Sequence, residues 1–62
     1  MRNFRHLVRI GAVMRRYGLD EVLSSVDSLK RYTWAFKLIP VNRKDVEHLP
    51  RGERFRLALQ DL

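Results

Sequence analysis

The sequence predicts an all-α fold of about three amphipathic helices, with a short fourth. Apolar residues recur at i, i+3, i+4 and i+7 or related spacings in three separate segments, which is the pattern of one helix face. Residues typical of helix ends, Gly18, Pro40 and Pro50, stand beside these segments. No segment convincingly shows the apolar–polar alternation of a half-buried strand. We therefore expect residues 1–62 to form a single helical unit.

The first helix is predicted from about residue 3 to residue 17. Asn3 is a suitable N-cap, and Gly18 suits the C′ position that follows a helix. Arg15 falls on the apolar side, so its guanidinium is expected to extend outward to water. The opposite, broad apolar arc contains Phe4, Leu7, Val8, Ile10, Val13, Met14 and Tyr17.

The middle of the chain is predicted to hold one short and one longer helix. Asp20 can cap a short helical turn, and residues 24–28 are expected to form a loop or a frayed helix end. The longer helix is predicted over residues 29–39 and is ended by Pro40. Its apolar stripe consists of Leu29, Tyr32, Phe36 and Ile39, while Trp34 and Leu38 lie off that stripe.

The last helix is predicted to begin near Pro50, after a polar connection over residues 41–49. Phe55, Ala58, Leu59 and Leu62 form its apolar stripe. No Gly or Asn follows as a C-cap, and no Lys or Arg stands in the last turn. We therefore expect an incomplete domain that ends within a helix and forms the front part of a longer protein.

Charge is the strongest functional signal in the composition. The net charge is +6, and cysteine is absent, which excludes a disulfide framework. Residues 1–19 and residues 28–44 each contain five Lys or Arg residues and no acid. Such basic blocks favour an anionic partner, either lipid headgroups or nucleic acid. No run reaches the roughly 18 apolar residues that a transmembrane helix requires.

The first helix carries the most specific version of this signal. Arg2, Arg5, Arg9 and Arg16 fall within an arc of roughly 60° at 100° per residue. A helix with one basic and one apolar arc can lie in a membrane interface, so these arginines are the candidate membrane-surface residues. The alternative is that the apolar arc packs on the rest of the protein and the arginines are simply solvated.

Catalytic, cofactor-binding and metal-binding residues are not predicted. His48 lies near Asp45 and Glu47, but these residues lack the spacing of a good zinc site. Ser24 and Ser25 have no base near them in sequence, and the three glycines are too isolated to form a phosphate-binding loop.

Aromatic residues among cations offer a nucleic-acid alternative. Tyr32, Trp34 and Phe36 are flanked by Lys30, Arg31 and Lys37, as in a stacking platform for single strands. No helix-turn-helix, zinc-finger or RNA-binding signature accompanies them, so nucleic acid is the less favoured partner.

Two segments of the chain, residues 17–21 and residues 52–62, resemble the start of the UbiB family of atypical, protein-kinase-like proteins of ubiquinone biosynthesis. Arg31-Tyr32 and the Asn42-Arg43-Lys44-Asp45 run are similar to bacterial members in the same order. The second segment is the more specific of the two. The matching motif residues are Tyr17, Gly18, Leu19, Asp20, Glu21, Gly52, Glu53, Arg54, Arg56, Leu57, Ala58, Leu59 and Gln60.

The resemblance implies a helical segment that precedes a Lys-x-Gly-Gln extension and a kinase-like domain, both of which follow the matched region. ATP and Mg²⁺ are implied only for the full-length family, because none of its nucleotide-binding or catalytic residues has a counterpart here. The segment is therefore expected to have no activity of its own. The implied location is the cytoplasmic face of a bacterial inner membrane, peripherally bound, with the remainder of a longer chain or other ubiquinone-pathway proteins as partners. The alternatives are a small basic membrane-binding protein and a nucleic-acid-binding module.

Overall fold

The computed structural model describes residues 4–62, and over that range the chain is all-α with five helices. The helices are α1 (Phe4–Arg16), α2 (Asp20–Ser25), α3 (Asp27–Lys30), α4 (Thr33–Phe36) and α5 (Arg51–Asp61). The predicted fold class is confirmed. The described helices are more numerous and shorter than the three or four predicted, because helical structure in the middle of the chain is interrupted at Val26 and again at Arg31 and Tyr32.

The end of α1 is set by Gly18, as its sequence position predicts. Gly18 has φ +68°, a conformation that costs other L-residues roughly 1–2 kcal/mol. Its N–H donates to Arg15 O at 3.1 Å, and the Leu19 N–H donates to Met14 O at 2.8 Å. This pair of bonds is a Schellman motif, which satisfies carbonyls at the helix end. Asn3, the predicted N-cap of α1, lies outside the described residues.

The predicted cap at Asp20 is wrong by one residue. Leu19 occupies the N-cap position of α2 without a side-chain hydrogen bond, and Asp20 is already helical. The Asp20 carboxylate instead lies 3.9 Å from both Arg15 and Arg43. The loop predicted over residues 24–28 is reduced to Val26, whose extended backbone (φ −109°, ψ 119°) separates α2 from α3.

The single helix predicted over residues 29–39 is wrong. Its residues form part of α3 and all of α4, separated by a turn in which Tyr32 has φ −110° and ψ 8°. The Thr33 hydroxyl donates to Lys30 O at 3.0 Å, and such local bonds compete with the helical ladder. The predicted stripe still faces inward, since Leu29 and Phe36 are buried and Ile39 packs against the core.

The core collects residues from every helix and from the connection before α5. Its buried members are Met14, Tyr17, Leu19, Leu23, Leu29, Phe36, Val46 and Ala58. Helix α1 lies at the centre and contacts α2, α4 and α5. The closest approach is at Gly11, where the Phe36 ring occupies the space that a Cβ atom would need. Residues 41–49, predicted as a polar connection, contribute Val46 to the core.

Helix α5 begins after Pro50, as predicted, but Ala58 is the one member of the predicted stripe that is buried. Ala58 is fully buried and Leu57 packs against the core. Phe55, Leu59 and Leu62 remain 42%, 55% and 48% exposed. The first turn of α5 lies at the end of α1, and its last turn lies beside Arg9. One side of the predicted stripe is therefore left on the surface.

Candidate functional site

Residues 17–21 and residues 52–62, the two segments that carry the sequence resemblance, meet at the junction of α1 and α5. The Arg54 guanidinium joins them: its Nη1 donates to Tyr17 O at 2.9 Å and to Gly18 O at 3.0 Å. Its Nε donates to Leu49 O at 3.1 Å. A cation at the C-terminal end of a helix also interacts favourably with the helix dipole. Arg54 thus satisfies carbonyls that α1 leaves unpaired.

Gly18 is required at this junction for two reasons. Its positive φ suits glycine, and a Cβ atom at this position would lie 2.7 Å from Arg54 Nη1. A side chain at residue 18 would therefore displace the guanidinium from its carbonyl partners. The glycine and the arginine of the two segments form one structural unit.

Apolar burial contributes more to the junction than ion pairing does. Leu19 and Ala58 are both fully buried, and burying a leucine side chain stabilises by roughly 1.5–3 kcal/mol. Arg51 Nη2 lies 2.7 Å from Glu21 Oε1, but more than half of each side chain is exposed. Surface pairs of this kind contribute only about 0–1 kcal/mol.

Asp61 is held by two residues of the α1 region. The Tyr17 hydroxyl donates to Asp61 Oδ2 at 2.5 Å, and Arg9 Nη2 donates to the Asp61 carbonyl at 2.6 Å. The hydrogen bond to Asp61, followed by burial, raises the pKa of Tyr17 above its ordinary value. These contacts fix the last turn of α5 against α1.

A cavity of about 200 Å³ lies beside Arg54. It is smaller than the roughly 300–1,000 Å³ of typical ligand pockets. Its walls carry charges of both signs and no histidine, so it offers no nucleophile–base pair. The lining residues are Tyr17, Gly18, Arg43, Val46, Glu47 and Arg54.

The residues weighed for metal binding and catalysis do not converge within residues 4–62. No group of three His, Cys, Asp or Glu side chains in that range could hold a metal ion. Asp45 instead accepts a hydrogen bond from Arg16 Nη2 at 3.1 Å. The Ser25 hydroxyl donates to Val22 O in its own helix at 3.0 Å.

Two residues of the predicted arginine face of α1 form hydrogen bonds with other parts of the protein. Arg9 and Arg16 make the contacts described above, Arg5 is exposed, and Arg2 lies outside the described residues. Most of the apolar arc packs internally, which agrees with the first half of the alternative interpretation, whereas Arg9 and Arg16 are not simply solvated. Its described core and core-packed members are Leu7, Ile10, Val13, Met14 and Tyr17.

Arg15 contradicts the expectation that it would extend to solvent. Its side chain is only 14% exposed. Its Nη1 donates to the carbonyls of Phe36 and Ile39, at and just beyond the end of α4. The signal in the sequence was its place on the apolar arc, because a cation buried there needs acceptors. Arg54 was marked only by the family resemblance, and its hydrogen bonds to the end of α1 were not predicted.

The three aromatic residues considered for nucleic-acid stacking do not form one platform. Phe36 is buried, Tyr32 is partly buried, and only Trp34 is largely exposed, at 68%. Trp34 and Leu38 together form an exposed apolar pair that the sequence analysis does not predict as a binding site. Their position off the stripe of the helix predicted over residues 29–39 is consistent with this exposure.

Within the described part of the chain, no helix has the length and apolar character needed to cross a membrane. Comparisons of the sequence with protein-family models, with curated proteins and with solved structures find no match.

Proposed function

We propose that this chain is the N-terminal helical segment of a UbiB-like atypical kinase or ATPase that supports ubiquinone biosynthesis, and that it is not catalytic on its own. ATP and Mg²⁺ would be used by the kinase-like domain that follows this segment in the family. The role of these 62 residues would be to present a folded helical unit at a membrane surface.

The observation that supports this proposal is the contact between the two resembling segments. Arg54 donates to Gly18 O across 36 positions of sequence. Fully buried Leu19 and Ala58 come from the same two segments. If the segments resembled the family by chance, nothing would require their distinctive residues to depend on one another. Because residues of one segment bond to and pack with residues of the other, the contact offers a structural explanation for the occurrence of both segments in one motif.

A chimera tests the proposal. Residues 1–62 would replace the N-terminal segment of a bacterial UbiB protein, and ubiquinone content would be measured in a strain that lacks that protein. We expect ubiquinone synthesis to be restored. Arg54→Met should abolish restoration, whereas Arg56→Met, on the exposed side of the same helix, should retain it.

Failure of the chimera to restore ubiquinone, at an expression level equal to that of the intact UbiB protein, would refute the proposal. The purified 62-residue chain should also show no ATP hydrolysis with Mg²⁺. Hydrolysis above that of a buffer control would contradict the non-catalytic role.

The partner proposed for this segment is an anionic membrane surface at the cytoplasmic face of a bacterial inner membrane, bound peripherally. The net charge of +6 supports it, together with the exposure of Trp34 and Leu38 in an acid-free stretch. Tryptophan is enriched at membrane–water interfaces because one part of its ring system is apolar and its N–H is polar. Nucleic acid remains the alternative, and it predicts steep salt dependence of DNA or RNA binding.

A further inference from the structure

Helix α4 and the two residues after it carry the most exposed large apolar side chains of the described residues. Trp34 is 68% exposed and Leu38 is 76% exposed, the two highest values among the exposed large hydrophobic residues. Lys37 lies between them in sequence and is also exposed. We call Trp34, Lys37 and Leu38 the α4 patch.

The packing of Phe36 explains why these side chains face outward. Phe36 is 2% exposed and packs against Gly11 of α1. At about 100° per residue, positions 34 and 38 each lie roughly 160° from position 36 around the helix. Burial of Phe36 therefore turns Trp34 and Leu38 away from the core. Leu38 N donates to Ala35 O at 3.1 Å, which keeps it close to helical register.

The charge around the α4 patch is positive and largely uncompensated. Residues 28–44 contain no acid. Lys30 pairs with Asp27 at 3.6 Å, and Arg43 lies 3.9 Å from Asp20. No ion pair within residues 4–62 involves Arg31, Lys37 or Lys44. These three cations thus remain available to an anionic partner, unlike Arg9 and Arg16 of α1.

The second exposed apolar face, on α5, is less suited to an anionic partner. Phe55, Leu59 and Leu62 are about half exposed. The nearby cation Arg56 is paired with Glu53, and Asp61 is also exposed on this helix. Charge complementarity therefore selects the α4 patch. A nucleic acid would use Trp34 for stacking but would gain little from Leu38, whose side chain has no ring.

We propose that the α4 patch is the surface that contacts the membrane. Trp34 and Leu38 enter the boundary between headgroups and acyl chains of an anionic bilayer, and Lys37 lies at the lipid phosphates. Arg9 and Arg16 of α1 keep their contacts with Asp61 and Asp45. This inference rests on the membrane partner proposed above, and it moves the contact from α1 to α4.

Trp34 is the only tryptophan of the chain, so it reports its own insertion. The 62-residue chain would be mixed with vesicles of equal parts phosphatidylcholine and phosphatidylglycerol. We expect the Trp34 emission maximum to shift to shorter wavelength and the protein to sediment with the vesicles. Vesicles of phosphatidylcholine alone should give neither effect, because they lack net negative charge.

Variants that keep Trp34 locate the contact. Lys37→Glu should weaken vesicle binding roughly 30-fold, because it changes the local charge by two at about a factor of five per charge. Leu38→Ser should weaken binding roughly 10-fold by removing apolar burial. Leu59→Ser, on the exposed face of α5, is the matched control and should bind as the unmodified chain does. Circular dichroism checks that each variant retains its helices.

Three results would overturn the inference. The first is loss of binding in Arg5→Glu or Arg9→Glu, with Lys37→Glu and Leu38→Ser unaffected. The second is loss in Leu59→Ser equal to that in Leu38→Ser. The third is a Trp34 emission change with a single-stranded oligonucleotide and none with the anionic vesicles. A chimera that fails in cells while the α4 variants behave as expected would refute the ubiquinone role and leave the membrane surface standing.

Discussion

Gly11→Ala should destabilise this protein, although the same change usually stabilises the interior of a helix. Alanine is favoured over glycine there by about 1 kcal/mol. At residue 11, however, the new Cβ atom would lie 2.4 Å, 2.6 Å and 2.8 Å from three atoms of the Phe36 ring. All three distances are far inside van der Waals contact, and Phe36 is 2% exposed, so the ring has no free space to enter.

The magnitude follows from these opposing effects. Overpacking of a core costs typically about 1–3 kcal/mol, and overlap with three ring atoms favours the upper end. After the gain of about 1 kcal/mol in helix propensity, the net loss is about 2 kcal/mol. For a domain of this size, that loss lowers the melting temperature by about 8–16 °C. A small core without disulfides supplies only about 3–5 kcal/mol, so the change is large.

Thermal unfolding followed by far-ultraviolet circular dichroism measures this effect. Gly52→Ala is the matched control, because it lies in α5 with nothing within 4 Å of its new Cβ atom. Gly52→Ala should leave the melting temperature unchanged or raise it. In a double-mutant cycle, Phe36→Leu should reduce the cost of Gly11→Ala, since the smaller side chain leaves room. A melting temperature for Gly11→Ala at or above that of Gly52→Ala would refute the proposed packing of α4 on α1.

Further predictions concern the junction of α1 and α5. Gly18→Ala should cost about 2 kcal/mol in urea unfolding, from its positive φ and the displaced guanidinium; an unchanged midpoint would contradict this. Arg54→Met should cost about 3 kcal/mol by leaving three carbonyls without their charged donor, and a loss no larger than that of Arg56→Met would contradict it. The raised pKa of Tyr17 means that the folded state holds its proton more tightly. Its contribution to stability is complete below the unfolded pKa of about 10 and declines as pH rises through the higher folded value. Tyr17→Phe should therefore reduce the loss of stability above pH 10, and an unchanged alkaline profile would count against the Asp61 hydrogen bond.

Three arginines donate hydrogen bonds to carbonyls near the C-terminal ends of helices, so part of the positive charge is used within the fold. Arg54 donates to the end of α1, Arg15 to the carbonyls of Phe36 and Ile39 near the end of α4, and Arg9 to the carbonyl of Asp61 in α5. Carbonyls at a helix C-terminus have no partner within the helix, and a cation is the favoured partner there. Part of the basic charge thus stabilises the fold. Within residues 4–62, Arg31, Lys37 and Lys44 take part in no ion pair.

Local signals in the sequence were sufficient for the fold class, for the C-terminal end of α1 and for the start of α5. Gly18 stops α1 because its positive φ suits a residue without a Cβ atom, and Pro50 precedes α5 because its φ is already helical. The inward placement of Leu29 and Phe36 also followed from spacing alone. These features depend on residues within one or two helical turns of each other.

Only tertiary packing decided the remaining features. Periodicity could not show that the helix expected over residues 29–39 breaks at Tyr32, because the burial of Leu29 and Phe36 in one core depends on contacts between distant residues. Nor could it show which face of α5 is buried, since Ala58 is buried and Leu57 packs against the core while Phe55 and Leu59 are exposed. The missing cation in the last turn of α5 is supplied by Arg9, 52 positions away in sequence. A sequence determines helix ends through local backbone chemistry, whereas the partner of each face and each carbonyl is chosen by contacts between distant residues.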